Sequence, residues 1–429
     1  MSLLLGPMRK HIHGYKELTD HKPVLVCPTP EVVAIPLMAM GNPNIEVYVQ
    51  EGDRVLVNQK IASRNDHFAI PLFSSVSGTV KGFKDEFHSW GGRKAKHVLI
   101  ENDGKYEAVA PTSLDDKIAT KDEICEHIKM MGIVGCVGAG FPTYMKYQPM
   151  KQTDVLIINA VECEPYLTGD YVTVNAHLEE LVHGTLILQK AGNCSRVLVC
   201  IKEDKKETIA KLKDSFKDYP SVTVRPVPNV YPMGWERTLV YEVLKKRYDR
   251  LPSEVGAIVN NSTTAIMVSR AFRKGTPITS KIVTVSGNGI KESQNVEVKL
   301  GTPLKDVLDT CGGLVTDAVH VLHGGPMMGK AMIHDQVTVN FTTNALTVII
   351  EEKIDPIACL RCGSCVDHCP AGLMPVKIQD AEKAKNLDMM AKLDANSCIE
   401  CGLCTYVCPS KIDVTENVRR AKSALRLRK

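Results

Sequence analysis

Eight of the fifteen cysteines fall into two copies of one spacing, Cys-x2-Cys-x2-Cys-x3-Cys-Pro. The first copy is Cys359, Cys362, Cys365, Cys369 and Pro370, and the second is Cys398, Cys401, Cys404, Cys408 and Pro409. Thiolates at this spacing ligate [4Fe–4S] cubes, and in paired runs the fourth cysteine of each run ligates the other run's cube. The pattern assigns Cys359, Cys362, Cys365 and Cys408 to one cluster, and Cys398, Cys401, Cys404 and Cys369 to the second. A tight loop aims three thiolates at one cube face, and the proline then turns the chain into a helix that carries the fourth ligand across. Gly363 and Gly402 hold the same place in the two loops, where a side chain would crowd the sulfides. Zinc ribbons use four cysteines in two pairs, not a triplet plus one, and nothing in the chain reads as secreted, as a disulfide framework would require. The chemistry is electron transfer.

Three further groups of residues could bind a cofactor. "GIVGCVGAGFPTYMK" carries Gly132, Gly135, Gly138 and Gly140, then Phe141, Thr143 and Lys146. Such a loop lets backbone N–H groups approach a phosphate or a flat ring, and the lysine adds charge. It is neither a Walker loop nor a GxGxxG fingerprint, and a turn of no special function reads the same way. "NAVECEPYLTGD" places Asn159, Glu162 and Glu164 after the apolar run "DVLII", where carboxylates can hold ribose hydroxyls or a nicotinamide; a solvated acidic loop is the competing reading. "VNNSTTA" offers Asn260, Asn261 and Thr263 to the polar edge of a flavin, or equally caps a helix.

Elements to position these groups are legible along the chain. Residues 1–110 hold short alternating stretches such as "IEVYVQ" and "KHVLIEN", separated by Gly, Pro and Asp, and read as β-rich. Within them "EGDRVLVNQKIA" and "FSSVSGTVKGF" are similar to the barrel-sandwich half-motifs of lipoyl and biotin carriers. The tip reads "IPLFSSVS" and lacks the carrier lysine, so this unit is expected to be structural. Between residues 120 and 275, "TDVLIINAVE", "SRVLVCIK" and "VGAIVNN" have the length of buried strands. They alternate with helical patterns such as "LEELVHGTLILQKAG" and "ERTLVYEVLKKRY", which predicts an α/β unit with a largely parallel sheet and ligands at its carboxyl ends. The 429 residues suggest about three domains. Lys+Arg 53 against Asp+Glu 49 leaves +4, which argues against a nucleic-acid binder. No apolar run approaches the roughly 20 residues of a membrane span, and the N-terminal apolar patch is too short for a signal peptide. Seven scattered remaining cysteines point to a reducing compartment, the cytoplasm or a cytoplasmic membrane face reached through a partner.

"GAGFPTYMK", "NAVECEP" and "NNSTT" resemble the flavin-binding loops of the 51-kDa NADH-oxidising subunit of respiratory complex I. The fuller resemblance, over almost the whole chain, is to the C subunit of the Rnf electron-transport complex. It implies a multidomain α/β plus α+β protein in four parts. These are a barrel-sandwich domain (1–110), a 51-kDa-like FMN/NADH domain (120–275), a β-grasp module of the SLBB type (280–335) and a two-cluster ferredoxin-like domain (350–429). The β-grasp segment is "KIVTVSGNGIKESQNVEVKLGTPLKDVLDTCGG", followed by "HGGPMMGKAM", and "YPMGWE" with Glu236 looks like the family's acidic nucleotide loop. The resemblance implies two [4Fe–4S] clusters, FMN and NADH. The chain would be an electron-transfer protein or a component of an NADH-dependent oxidoreductase. Contacts to these cofactors would come from Gly135, Gly138, Gly140, Phe141, Thr143, Lys146, Asn159, Glu162, Glu164, Glu236, Asn260, Asn261 and Thr263.

The chain departs from the Rnf pattern at three places. Cys136 and Val137 stand where the family has an aliphatic residue and a glycine. The N-terminal region reads "RKHIHGYKELTDHKP" in place of Gly-Gly-Ile-His-Pro-Pro, and Ile412-Asp413 follow the second cluster run where Arg-Pro is usual. These departures suggest a soluble paralogue similar to the proline-reductase-associated electron-transfer proteins of amino-acid-fermenting clostridia. That reading makes a partner reductase the acceptor, with the Rnf membrane subunits as the alternative and ferredoxin as a further candidate. It also gives Cys136 a catalytic role as a redox thiol with a depressed pKa; the alternative is a small buried hydrophobe.

Overall fold

The computed structural model describes residues 10–87, 94–148, 153–332 and 337–428. Alternating apolar positions in the N-terminal part fold into two small antiparallel sheets. One contains Val32–Pro36, Arg54–Val55, Gly78–Phe87 and Lys94–Asn102; the other contains Glu46–Val47, Lys60–Arg64 and Ile70–Phe73. Val33, Ile35, Ile61, Ile70, Val80, Val98 and Ile100 fill the space between them.

The next unit is a parallel sheet in the spatial order Val222–Val227, Cys194–Lys202, Thr153–Asn159, Ala257–Asn261. Side chains alternate across it, as a pleated strand requires. Leu156, Ile158, Val197, Val199 and Ile258 join one core, while Val155, Ile157, Leu198, Cys200 and Val259 join a second core on the opposite face. Both faces are therefore apolar, the usual condition of a parallel sheet. The first face is covered by helices Leu178–Gly192 and Ser262–Arg273. These cross so closely that a Cβ on Gly184 would lie 1.8 Å from the carbonyl oxygen of Ala265. Helix Glu236–Leu244 lies on the second face through Leu239 and Val240. Thr120 and Glu123 form a capping box that starts helix Lys121–Met130.

A six-stranded mixed sheet follows, built on Ser280–Ser286, Gln294–Lys299, Val319–His323, Lys330–Ala331 and Ala345–Ile350. Its edge strand, Leu25–Val26, comes from the N-terminal segment and runs parallel to Gln294–Lys299. Asn295 ties these pieces together: its Nδ2 donates to the carbonyl of Thr19 (3.1 Å) and to Thr168 Oγ1 (2.8 Å). The C-terminal part packs short helices, including Pro375–Lys383 and Val414–Leu427, around Leu373, Ile378, Met390, Val418 and Leu425. Among the described residues no helix is long and apolar enough to cross a membrane.

Candidate functional site

A cavity of about 700 Å3 opens at the carboxyl ends of the parallel strands. It lies where the strand order reverses, between Thr153–Asn159 and Ala257–Asn261, which is where open α/β sheets bind their ligands. Its volume suits a cofactor. Four loops build the wall: Cys136–Gly138, Asn159–Glu164, Gly234–Glu236 and Asn261–Thr263. The β-grasp sheet closes the remaining side with Lys281, His323 and Gly325.

Most of the expected binding residues meet here. Gly138 has φ +78 and nothing within 4 Å of its Cβ position, so its backbone faces open space. Lys146 lines the cavity and donates one proton to Val259 O at 2.7 Å; burial lowers its pKa, against the pull of Glu236. Asn159 joins two wall loops, donating to Gly234 O (2.9 Å) and accepting from Val161 N–H (3.0 Å). Glu162 accepts from Asp170 N–H at 3.1 Å, in the first turn of helix Gly169–Ala176, where a carboxylate is favoured. Glu164 accepts from the N–H groups of Met327 (2.7 Å) and Met328 (2.9 Å). Burial raises the pKa of both carboxyls. Glu236 accepts from the Tyr248 hydroxyl at 2.9 Å. Asn261 and Thr263 donate to the two oxygens of Asp170, at 2.7 and 2.6 Å.

Five expected residues do not line the cavity. Gly135 N–H donates to Phe141 O at 2.8 Å and closes the base of the glycine loop. Gly140 (φ +66) is backed by the Phe341 ring, Phe141 packs edge-on to Phe68, and Thr143 is fully buried. Asn260 is 1% exposed and donates to the hydroxyl of Tyr147 in the core.

Cys136 lines the cavity yet is only 1% exposed. Burial pushes its thiol pKa up, outweighing the opposite influence of Lys281, so the expected depressed thiolate is reversed. Thr264 reaches the thiol and also the backbone: the Cys136 N–H donates to Thr264 Oγ1 (3.1 Å), while its carbonyl accepts from Lys281 Nζ (2.7 Å). The expected result is slow alkylation of Cys136 by iodoacetamide near neutral pH. Cys136→Ala should cost on the order of 1 kcal/mol of stability and leave electron flow from the clusters to a partner protein intact. Fast alkylation together with loss of that flow would reinstate the redox thiol.

Three contributors were not legible in the sequence. Asp170 is positioned by Asn261 and Thr263, and an acidic residue opening a helix was its only signal. Lys281 is buried and also donates to Phe341 O (2.8 Å) and Asn344 Oδ1 (2.5 Å), fastening the glycine loop to the β-grasp sheet. Burial pushes the pKa of His323 down to about 4, so the ring is neutral near pH 7 beside Thr343 Oγ1 (3.0 Å).

In the C-terminal domain, Cys369, Cys398, Cys401 and Cys404 line one small cavity, three thiols from the second run and one from the first. Hydrogen bonds also bring the end of the second run to the start of the first. Ile357 N–H donates to Ser410 O and Ser410 Oγ donates to Ala358 O, both at 3.1 Å, which holds the Cys408 loop beside Cys359. The halves repeat at an offset of 39 residues. Arg361 and Glu400 share φ 57, Gly363 and Gly402 have φ 82 and 79, and Gly372 and Lys411 have φ 65 and 55. Backbone N–H groups reach Cys359, Cys369 and Cys398 sulfurs at 3.4, 3.3 and 3.3 Å, the kind of contact that tunes a cluster's potential. Among the described residues no group of three His, Cys, Asp or Glu side chains is placed to hold a single metal ion; the thiols of the second set line a common space. Four thiols to a set is the donor chemistry that [4Fe–4S] clusters take.

The second thiol set abuts the flavin cavity. Tyr231 hydroxyl donates to Cys401 O at 2.8 Å, and a Cβ on Gly402 would meet Met327 O at 2.6 Å. Ile12, Tyr231, Cys401 and Leu403 form a common apolar cluster.

Four family models match the chain in order. They are the RnfC barrel sandwich hybrid domain (10–105), the Nuo51 FMN-binding domain (128–270), the SLBB domain (282–331) and the 4Fe-4S dicluster domain (358–412). The C subunit of the proton-translocating ferredoxin:NAD(+) oxidoreductase complex of Clostridium ljungdahlii is 35% identical, over 85% of this chain and 81% of its own. The C subunit of the Na(+)-translocating complex of Acetobacterium woodii is 31% identical, over 89% and 88%. The C subunit of the ion-translocating oxidoreductase complex of Vibrio cholerae is 31% identical, over 88% of this chain and 50% of its own. A chain of an NAD+-reducing [NiFe]-hydrogenase shares the fold at TM-score 0.50 and 17% identity, over 75% of this chain and 68% of its own. The barrel-sandwich, flavin, β-grasp and dicluster parts expected from the sequence are all present, and with them the sites for FMN and two [4Fe–4S] clusters.

Proposed function

The chain belongs to the RnfC family of oxidoreductase-complex C subunits, and from that premise we propose that it relays electrons between NADH and a partner protein. FMN, when bound, exchanges a hydride for single electrons, and the [4Fe–4S] clusters carry those electrons one at a time. The chain's own work is positioning. The Gly138 backbone and the Lys146, Asn159, Asn261 and Thr263 side chains form the polar side of the flavin site. Asp170, Glu162 and Glu164 hold its loops in place. The observation that carries this reading is one shared wall: the Glu164 carboxylate lines the cavity and grips the Met327–Met328 loop, whose carbonyl backs Gly402 of a cluster loop.

The relatives' names, C subunits of ion-translocating oxidoreductase complexes, support the other subunits of such a complex as partners. The departures at Cys136, Val137 and the N-terminal "RKHIHGY" support the finer alternative of a soluble proline-reductase electron donor. Binding measured against each partner separates the two.

Anaerobic protein should retain FMN and be reduced by NADH. Lys146→Ala should weaken FMN binding by roughly 10- to 100-fold, the range of one charge-assisted hydrogen bond, while iron content stays unchanged. Wild-type protein with intact clusters that neither binds flavin nor responds to NADH would leave a cluster-bearing adaptor.

A further inference from the structure

A second cavity, of about 320 Å3, opens beside the flavin cavity, at the carboxyl ends of Thr153–Asn159 and Cys194–Lys202. Glu162 and Cys163 line both cavities and form the wall between them. Much of the remaining lining comes from residues 11–20, a segment laid across the strand ends. Tyr231 N–H donates to Lys10 O (2.8 Å) and Tyr166 N–H to Gly14 O (2.7 Å). Lys16 Nζ donates to Glu164 O (2.8 Å) and to Leu167 O, and the hydroxyls of Thr19 and Thr168 meet at 2.6 Å. These bonds fix the segment in place.

One charge in this space is left over. Lys202 continues the row Leu198, Cys200 of its strand, whose side chains are buried in the second core, so an apolar residue would suit the position. Lys202 instead lines the cavity, half-buried, and among the described residues no hydrogen bond or ion pair engages its ammonium. Burial lowers its pKa, against the pull of Cys163, Asp204 and Glu162. None of the three is a free counterion inside the cavity. Burial pushes the Cys163 thiol up to about 11, so it is neutral near pH 7. Glu162 faces Lys16 as well as Lys202, one carboxylate against two cations, and already accepts from the N–H groups of Asp170 (3.1 Å) and Tyr171 (3.4 Å). Asp204 is exposed to solvent at the rim. The other charges are matched: Lys205 with Asp20 at 3.2 Å, and Glu17 with His13 at 3.2 Å. A cation withdrawn from water without a partner costs free energy that a bound anion offsets.

We propose that the second cavity is a binding site for a small organic anion, whose carboxylate or phosphate oxygens meet Lys202 Nζ. The volume stands at the lower end of ligand sites and suits a small acid or a phosphate ester. This site goes beyond the electron relay and does not depend on flavin binding.

The test titrates the full chain, with both clusters, by anaerobic calorimetry with phenyl phosphate, benzoate and inorganic phosphate. The first two share a ring and differ in the anion, and the third is the anion alone, so the order of affinity identifies the group recognised. At least one should bind at a single site with Kd below about 1 mM, and more weakly as salt rises, because charge attraction is screened. Lys202→Gln should raise that Kd by at least about 10-fold, the least that one charge-assisted contact contributes. Lys146→Ala, in the flavin cavity, should leave it unchanged. Without an anion, Lys202→Gln should melt no lower than the wild type, since it removes a charge that has no partner, and its iron content should not change. Four results would each overturn the proposal. Wild-type protein that binds none of the probes, or Lys202→Gln that binds them equally well, would remove the site. Loss of binding in Lys146→Ala would move the anion to the flavin cavity. A lower melting temperature of Lys202→Gln would make the lysine a structural residue.

Discussion

Cys369→Ala should remove about four of about eight iron atoms per chain, and the loss should fall on the cluster of the other run. Cys369 follows Cys365 by four residues, yet its thiol lines the cavity of Cys398, Cys401 and Cys404. Its sulfur also accepts the Leu373 N–H at 3.3 Å inside the apolar core of the domain, so no nearby side chain can replace it. The cluster of Cys359, Cys362, Cys365 and Cys408 keeps all its ligands. The functional effect should exceed the chemical one. The damaged cluster is the one packed on Tyr231 and Met327, so NADH should still reduce the flavin while reduction of the surviving cluster slows by more than about 100-fold, as a broken relay requires. Iron analysis and electron paramagnetic resonance of the dithionite-reduced variant check the assignment. Loss confined to the cluster of Cys359, Cys362 and Cys365 would mean that the ligands do not cross.

How far the site could be read in advance depended on how local its causes are. The dicluster domain was legible because a cube face constrains neighbouring residues of a single loop. The parallel sheet was legible because strands buried on both faces must be apolar throughout, as Val155–Ile158 and Val197–Cys200 are. Asn260 and Asn261 illustrate the limit. Both stand in the motif "VNNSTTA", but adjacent strand residues face opposite sides, and only Asn261 lines the cavity. Lys281 and Cys136 are 145 residues apart, and Tyr231 and Cys401 are 170 apart. Such contacts follow from domain packing, which no local spacing encodes. Cys136 shows a different limit. A ring of N–H groups lowers a thiol pKa when it faces the sulfur in a solvated site, but here desolvation of the sulfur outweighs the pull of Lys281 and Thr264.

Gly325→Ala should uncouple the flavin cavity from the neighbouring cluster. A Cβ at Gly325 would lie 2.1 Å from Glu164 Cγ and 2.5 Å from its Oε1, so the carboxylate must leave its place. With it go the acceptor for Met327 and Met328 N–H and the loop that backs Gly402. Overpacking of this kind costs about 1–3 kcal/mol, enough to shift the loop without unfolding the chain. FMN should still bind through Lys146 and Gly138, whereas reduction of the clusters by NADH should fall by at least about 10-fold, as a stopped-flow trace at flavin and cluster wavelengths would resolve. Two companion variants separate sterics from hydrogen bonding. Glu164→Gln keeps both the shape and an acceptor oxygen, so transfer should stay near the wild-type rate. Glu164→Ala combined with Gly325→Ala removes the clash but not the lost acceptor; it should recover stability and leave transfer slow. If the double variant restored transfer fully, the carboxylate would be a spacer, and the coupling would have to run through Tyr231 and Cys401 alone.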